Sequence, residues 1–479
     1  MKYFNTIAGV PRVTSTHHQA TNPRTEDLLW DAPVGTTQDL DDAVISANKA
    51  FLTWGKTTVA ERQEVLRNMA EVIKENSKEL TEIVMKETGK SALMASIEIG
   101  NTLGQMEYFI HNALSDEVTH EDSTVKIVTT HVPLGIVGAI CPWNFPLILA
   151  NIKVVCSLVT GNCVIVKPSP FTPYSVLKWV ELSQSVLPPG VFSAINGGAD
   201  IGAAMCKHPG IHKISFTGTI ATGRKVMESS SSTLKKVTLE LAGNDASIIC
   251  PDVDIDKTVP KVVGGAFFNA GQMCVATKRV YVHKEIFDVF VAKFAEETKK
   301  MWGVAHSSAD ASNPSLFGPV SNKMQYDTVK TIVEDCKARG MKIVAGGEVG
   351  GAEAGATNGR GFWVSPTVVA NPPEDSLLVQ EEQFGPIIPI MSWEDEEEVL
   401  ARANLDNAGL GATVYSPDLK RAERIARRLE AGTIWINMSE KPNPAAYFSG
   451  FKNSGIGGEL GKQGLLSYSY TQCLQFSKE

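Results

Sequence analysis

Gly135-Ile136-Val137-Gly138-Ala139-Ile140-Cys141-Pro142-Trp143-Asn144-Phe145-Pro146 is a short apolar run stopped by two prolines. Such a run, bounded by turn residues, predicts a strand buried on both faces, as in parallel sheets. Outward from it, similar β-rich runs recur at Cys163–Lys167, Val191–Ile195, His212–Phe216 and Val237–Leu241, separated by longer helical stretches. That alternation predicts βαβ units. A second series follows, with strands at Arg279–Val282 and Lys342–Val344 and helices at Phe287–Met301 and Lys323–Arg339. The fold class is α/β with at least two sheet-containing units.

Other segments fill in the organisation. Thr58 with Glu61 forms a capping box, and Leu66, Met69, Ala70 and Ile73 follow at helical spacing. Gly346 to Gly361 contains seven glycines and reads as a surface loop. Ser229–Ser232 reads as the close of a helix, and no internal repeat is visible.

Composition sets bounds. A chain of 479 residues exceeds what one hydrophobic core organises, so two or three domains are expected. A net charge of −8 argues against a nucleic-acid partner. The eight cysteines are scattered, which fits reduced thiols in a cytoplasmic protein better than a secreted disulfide scaffold. The opening residues MKYFNTIAGVPR lack a signal-peptide core. The most apolar region, Pro133 to Val159, is broken by Pro142, Asn144, Pro146 and Lys153, so no membrane span is expected.

Two apparent motifs fail on physical grounds. Gly89-Lys90-Ser91 resembles the tail of a P-loop, but the first glycine of that motif would fall at Val84, and the segment follows a helical pattern. Cys206, His208 and His212 lack a second ligand cluster to complete a metal site, so no metal is expected.

Other residues carry chemistry. The prolines around Asn144 would hold its amide in a fixed direction, as an oxyanion donor must be held. Lys167 ends a strand where ligands bind in open α/β sheets. Phe216-Thr217-Gly218-Thr219 runs into a helix whose free amides suit a phosphate. Glu240 ends an apolar strand, where desolvation raises a carboxylate's pKa toward that of a neutral-pH base. Cys274 follows small residues and a glycine. Taken alone, such a glutamate is more often a paired structural residue, and an isolated cysteine a small buried hydrophobe.

Together these segments resemble the aldehyde dehydrogenase superfamily, from about residue 5 to residue 475. PWNFP, KPS, FTGT, the LELxG segment, GQMC, EEQFGP and GTIWIN occur in the family's order. Glu240 and Cys274 stand 34 apart, and Asn144 and Lys167 stand 23 apart, as in the family. The resemblance implies a Rossmann-type cofactor domain, an α/β catalytic domain and a small β oligomerisation arm. These would comprise residues 1–116 with 132–242, residues 243–436, and residues 117–131 with 465–479, while 437–464 would line the substrate tunnel.

It also implies site roles. Cys274 would attack the aldehyde, Asn144 would hold the oxyanion, Glu240 would activate the hydrolytic water, and Lys153 with Glu459 would relay its protons. Trp143, Lys167, Ser169, Pro170, Thr217, Gly218, Thr219, Leu241, Glu382 and Phe384 would bind the cofactor. Phe145, Ile152, Phe268, Met273, Val275 and Phe448 would wall an apolar or aromatic aldehyde. NAD is expected, and Pro170, where the family commonly has a ribose-binding glutamate, leaves NADP possible. Further departures are Ala242 and Asn244 in place of the family's usual Gly and Lys, and Gly458 in place of Arg. A homodimer or homotetramer is implied. A CoA-acylating semialdehyde dehydrogenase and a non-catalytic protein on the same fold are the alternatives, and retention of Glu240 and Cys274 argues against both.

Overall fold

The strand Ile136–Ile140 is buried along its whole length in the computed structural model, which describes residues 1–306, 317–356, 359–404 and 407–478. It pairs in parallel with Cys163–Lys167 on one side and Lys213–Thr217 on the other. Phe192–Ala194 continues the sheet beyond the first neighbour, and Lys236–Glu240 beyond the second. Among the described residues these parallel strands lie in the chain order 3-2-1-4-5. Antiparallel edges are added by Asn5–Ile7 with Val10–Arg12 and by Gly455–Ile456. The order reverses between Ile136–Ile140 and Lys213–Thr217, which opens a crevice at their carboxyl ends.

A second sheet runs in the order Lys342–Ala345, Thr367–Ala370, Ile387–Trp393, Arg279–His283, Ala246–Ile249, Gly411–Tyr415 and Thr433–Ile436. Every pairing in it is parallel except that of Lys342–Ala345 with Thr367–Ala370. Helices Phe287–His306 and Lys323–Ala338 stand where helical periodicity places them. The glycine-rich stretch is more ordered than a plain surface loop. Val349 bridges Val364, Ala352–Ala354 forms a 3-10 turn, and Ala354 and Ala356 pack against Trp363 and Trp302. Thr357 and Asn358 lie outside the described residues.

Local chemistry accounts for the helix starts around the crevice. Thr58 and Glu61 exchange both bonds of the capping box ahead of Val59–Glu75, and Leu66, Met69, Ala70 and Ile73 are buried. Helix Pro146–Val159 begins with proline at its first position, but its N-cap Phe145 offers no capping side chain. The free amide of Leu147 donates instead to Glu98 Oε1 at 2.9 Å. Gly89 closes helix Ser77–Thr88 with φ +76°, and Ser91 caps Ala92–His111, so Gly89-Lys90-Ser91 is a helix–helix corner. Cys206 is buried, His208 pairs with Asp41, and the His212 ring accepts from the Ile136 amide. No helix among the described residues is long and apolar enough to cross a membrane.

Glu117–Glu121, Val125–Pro133 and Ser469–Ser477 form a separate antiparallel sheet. Its last strand starts at Ser469, whereas Leu465 is buried within the short helix Gly461–Leu466. Asn162 ties this sheet to the first one. Its side chain accepts from the Gly135 amide at 2.9 Å and donates to the Tyr468 carbonyl at 2.8 Å. Asn162→Ala orphans both buried groups and is expected to lower stability by about 2–4 kcal/mol. The first urea-unfolding transition reads this loss, and an unchanged midpoint would overturn it.

Candidate active site

The crevice at the strand reversal gathers residues from both sheets. Trp143 and Asn144 leave strand Ile136–Ile140, Thr217 ends its neighbour, and Gly218 and Thr219 lead into helix Ile220–Ser230. Thr219 caps that helix by accepting from the Thr222 amide at 3.3 Å. Glu240 ends strand Lys236–Glu240, and Lys167 ends Cys163–Lys167. Cys274 comes from the other unit, in the connection from helix Ile255–Phe267 to strand Arg279–His283.

That connection is strained. Asn269, Ala270 and Gly271 all carry left-handed φ, at +53°, +56° and +72°. Only a glycine fits at 271, because a Cβ there would stand 2.3 Å from the Gly385 carbonyl oxygen. The conformation is held by amide side chains. Asn269 Nδ2 donates to the carbonyls of Gln272 at 3.2 Å and Asn144 at 3.3 Å. Gln272 Oε1 accepts from the Ser321 amide at 2.8 Å. Asn144 Nδ2 in turn donates to the Gln272 carbonyl at 3.1 Å, so the Asn144 amide and the cysteine loop are joined directly.

The electrostatics divide into two buried centres. Glu240 is 4% exposed, and among the described residues neither of its oxygens has a partner in full hydrogen-bond geometry. Burial raises its pKa to about 7, opposed by the Lys153 charge, with the nearby Cys274 thiol and Thr217 hydroxyl also favouring the anion. Lys153 Nζ donates to Thr217 Oγ1 at 2.8 Å and to Glu459 Oε1 at 2.6 Å, and Ser215 Oγ donates to the same Glu459 oxygen. A polar path therefore runs from beside Glu240 through Thr217 and Lys153 to Glu459. Cys274 keeps some exposed surface, yet desolvation dominates and holds its thiol well above the ordinary value, with Glu240 adding to the effect. Lys278 opposes both.

Lys278 was not singled out from the sequence. It is 2% exposed, donates to the Met273 carbonyl at 2.7 Å and to Glu382 Oε1 at 3.3 Å, and its ammonium lies 5.3 Å from the Phe384 ring centroid. Glu382 also accepts from the Gly243 amide at 3.3 Å. Trp143 and Phe384 meet edge to face at 5.3 Å, closing the crevice from opposite sides. Its identity as a cation between two apolar runs was the only available signal.

On the far side, Lys167 is 5% exposed and, among the described residues, donates only to the Pro168 carbonyl, at 3.3 Å. Burial lowers its pKa to about 8. Ser169 Oγ accepts from the Phe171 amide, and the Pro170 carbonyl is held by His18 Nε2 at 2.6 Å. The Leu241 methyls cross Gly223 so closely that a Cβ there would sit 2.6 Å away.

The apolar residues around Cys274 share one core cluster. Phe145 and Phe268 stack at 6.2 Å, and Phe268 keeps partial exposure. Met273, Phe448 and Ile152 are buried, and Val275 has no exposed surface, so it packs behind the wall rather than lining it. Gly458 has a steric reason: a Cβ there would meet the Phe448 carbonyl oxygen at 2.4 Å and the Tyr447 ring at 2.6 Å.

Of the eight cysteines, Cys274 is partly exposed, Cys473 is exposed and the other six are buried. Iodoacetamide with peptide mapping should therefore modify Cys473 and Cys274 and spare the rest. Because burial and Glu240 favour the neutral thiol, labelling of Cys274 should accelerate as pH rises. Labelling of Cys274 that is flat with pH would contradict this environment.

Known proteins resemble this chain over almost its whole length. The family model described as "Aldehyde dehydrogenase family" matches residues 11–474. Aldehyde dehydrogenase LUC3 of a Fusarium species is 38% identical over 476 residues, covering 99% of each chain. The NAD+ complex of an aldehyde dehydrogenase from Bacillus cereus superposes with a TM-score of 0.92 at 31% identity, covering 100% of this chain and 97% of that one. Aldehyde dehydrogenase C of Pseudomonas syringae, a cysteine-to-alanine mutant complexed with NAD+ and octanal, gives 0.91 at 30% identity, with coverage of 98% and 96%. This chain belongs to the aldehyde dehydrogenase family.

Proposed function

We propose that the enzyme oxidises an aldehyde to the carboxylic acid through covalent intermediates on Cys274, with a nicotinamide dinucleotide as hydride acceptor. The observation that carries this reading is Glu240, a buried carboxylate without a structural partner beside a thiol that keeps access to solvent. A carboxylate so placed suits a base rather than a salt bridge.

The residues fit a dinucleotide. Lys167 is a buried ammonium whose single weak carbonyl contact leaves donors for ribose hydroxyls. Thr217, Gly218, Thr219 and Leu241 frame the strand-to-helix turn, with Ser169 and Pro170 beside Lys167. Trp143, Phe384 and Glu382 close the nicotinamide end. Residues 1–116 and 132–242 then serve as the cofactor domain, 243–436 as the catalytic domain and 437–464 as the tunnel segment. NAD is the favoured form. Pro170 places no carboxylate against a 2′-phosphate, so NADP remains admissible.

Glu240 takes the Cys274 proton, and the thiolate adds to the aldehyde carbon to give a thiohemiacetal. Its oxyanion is held by Asn144 Nδ2 and the Cys274 backbone amide. A nicotinamide dinucleotide held by Lys167, Trp143, Glu382 and Phe384 would supply the two-electron oxidation, and loss of hydride from the adduct would leave a thioester on Cys274. The proton taken from Cys274 leaves Glu240 by way of Thr217, Lys153 and Glu459, Glu240 then deprotonates the attacking water, and that second proton passes to the departing Cys274 thiolate. The carboxylic acid leaves and the thiol is restored. Phe145, Phe268, Met273 and Phe448, backed by Ile152 and Val275, favour an apolar or aromatic aldehyde, and the octanal held by the Pseudomonas syringae relative supports an apolar one.

Cys274→Ala should abolish aldehyde-dependent NADH formation, and full activity would sink the covalent route. Glu240→Gln should trap an acyl adduct visible by intact mass. Because burial favours the neutral acid, the basic carboxylate predominates only above about pH 7. Deacylation should fall as pH drops through that value, and this limb should vanish in Glu240→Gln.

The arm exposes Val118, Val132, Tyr470, Leu474 and Phe476 on one small sheet. Such a surface is suited to a second copy of the chain, giving a dimer or a dimer of dimers. Light scattering at micromolar concentration should report an oligomer, and a monomer would refute this assignment.

A further inference from the structure

Lys90 lies in the corner rejected above as a P-loop, and the mechanism does not use it. It is 2% exposed and pairs with Glu98, which is 1% exposed. Its Nζ donates to Glu98 Oε2 at 2.5 Å and to the Asn144 carbonyl at 2.7 Å, and stands 3.9 Å from the Phe145 ring centroid. The three faces of the ammonium thus meet a carboxylate, a carbonyl and an aromatic ring. The second Glu98 oxygen accepts from the Leu147 amide at 2.9 Å. One ion pair therefore grips three consecutive parts of the chain: the Asn144 carbonyl, the Phe145 ring and the opening amides of helix Pro146–Val159.

Burying two charges is poor economy for stability alone, since apolar residues of the same volume hold such a site as well or better. What the pair supplies is direction. Asn144 is clamped from both sides, its carbonyl by Lys90 and by Asn269 Nδ2, and its side-chain amide by the Gln272 carbonyl. One hydrogen of that amide is taken by Gln272, which leaves the amide a second donor. We infer that Lys90, with Glu98, is a positioning residue that acts on the reaction through Asn144. This rests on the reading of Asn144 as the oxyanion donor.

The test is a double-mutant cycle on the full-length enzyme, with kcat and KM for an apolar aldehyde and the NAD Kd from fluorescence quenching. Lys90→Met with Glu98→Leu removes both charges together, so no unpaired charge stays buried. Asn144→Ala alone should lower kcat/KM by roughly 10²–10³-fold. The pair deletion should lower it by roughly 10-fold or more while the NAD Kd stays within about twofold. Added to Asn144→Ala, the pair deletion should cost no more than about a further threefold, because its route of action is already gone.

Full multiplication of the two losses, or a pair deletion with normal kcat/KM, overturns the role of Lys90. A harmless Asn144→Ala instead overturns the oxyanion reading. Thermal melting checks folding of each variant. Should the pair deletion not fold, the same cycle run with Lys90→Arg decides, since it keeps the partner charge and alters only the grip on the Asn144 carbonyl.

Discussion

A buried carboxylate without a salt-bridge partner is unfavourable, and the site depends on keeping Glu240, which has none among the described residues, in that condition. Several features hold it there. Its strand pairs with Lys213–Thr217 on one side, and Glu240 itself pairs with Gly455 on the other, so its backbone is fixed in the sheet. The next residue, Leu241, lies across Gly223 with no room for another methyl. Lys153 lies near enough to moderate the pKa, yet its own bonds go to Thr217 and Glu459. Had Lys153 paired with Glu240 directly, the carboxylate would be a salt-bridge partner with a depressed pKa and a poor base near neutral pH.

The same division of labour applies to the nucleophile. Cys274 and Glu240 belong to units built on different sheets, so their meeting depends on the fit between the two. The left-handed run Asn269-Ala270-Gly271 turns the chain toward the first unit, and Gln272 fastens it through Ser321 and Asn144. Left-handed backbone at two non-glycine residues is costly and persists only where the surroundings over-determine it. Here they do: the amide network crosses between units at several points, and each bond fixes one end of the reacting constellation relative to the other.

Much of this was legible in the chain. Cys163–Lys167 was delimited to the residue, because a strand buried on both faces reads as an unbroken apolar run. The capping box at Thr58 and Glu61 was equally plain, since its bonds are local. The strand Asn5–Ile7 was not, because it is short and joins the sheet through an antiparallel partner, Phe192–Ala194, far along the chain. For the site, motif order and spacing picked out Cys274, Glu240 and Asn144 as candidates. Lys90, Glu98 and Lys278 were missed for a common physical reason. A buried cation is recognised by its partners, and these partners lie on other elements: Asn144 for Lys90, and Glu382 for Lys278. No periodicity or local motif records such a pairing.

The departures from the family's usual motifs also become connected once the packing is known. Asn244 stands where the family commonly has lysine, and its Nδ2 donates to the Val379 carbonyl at 2.9 Å, fastening this segment to the turn that presents Glu382. Arg279 Nε donates to the Asn244 carbonyl from beneath. A positive charge is nevertheless present, carried by Lys278 one strand away and directed at Glu382 and the Met273 carbonyl. It stands among acidic groups, since Asp245, Glu382 and Glu440 all feel its charge and are all raised by burial. Asn244 and Lys278 are therefore best considered together. A neutral amide at 244 adds no further charge beside the buried Lys278 and Arg279, whereas an ammonium there would add repulsion in a low-dielectric setting. On that argument an Asn244→Lys change should be less destabilising when Lys278 is also replaced by a neutral residue than when it is made alone.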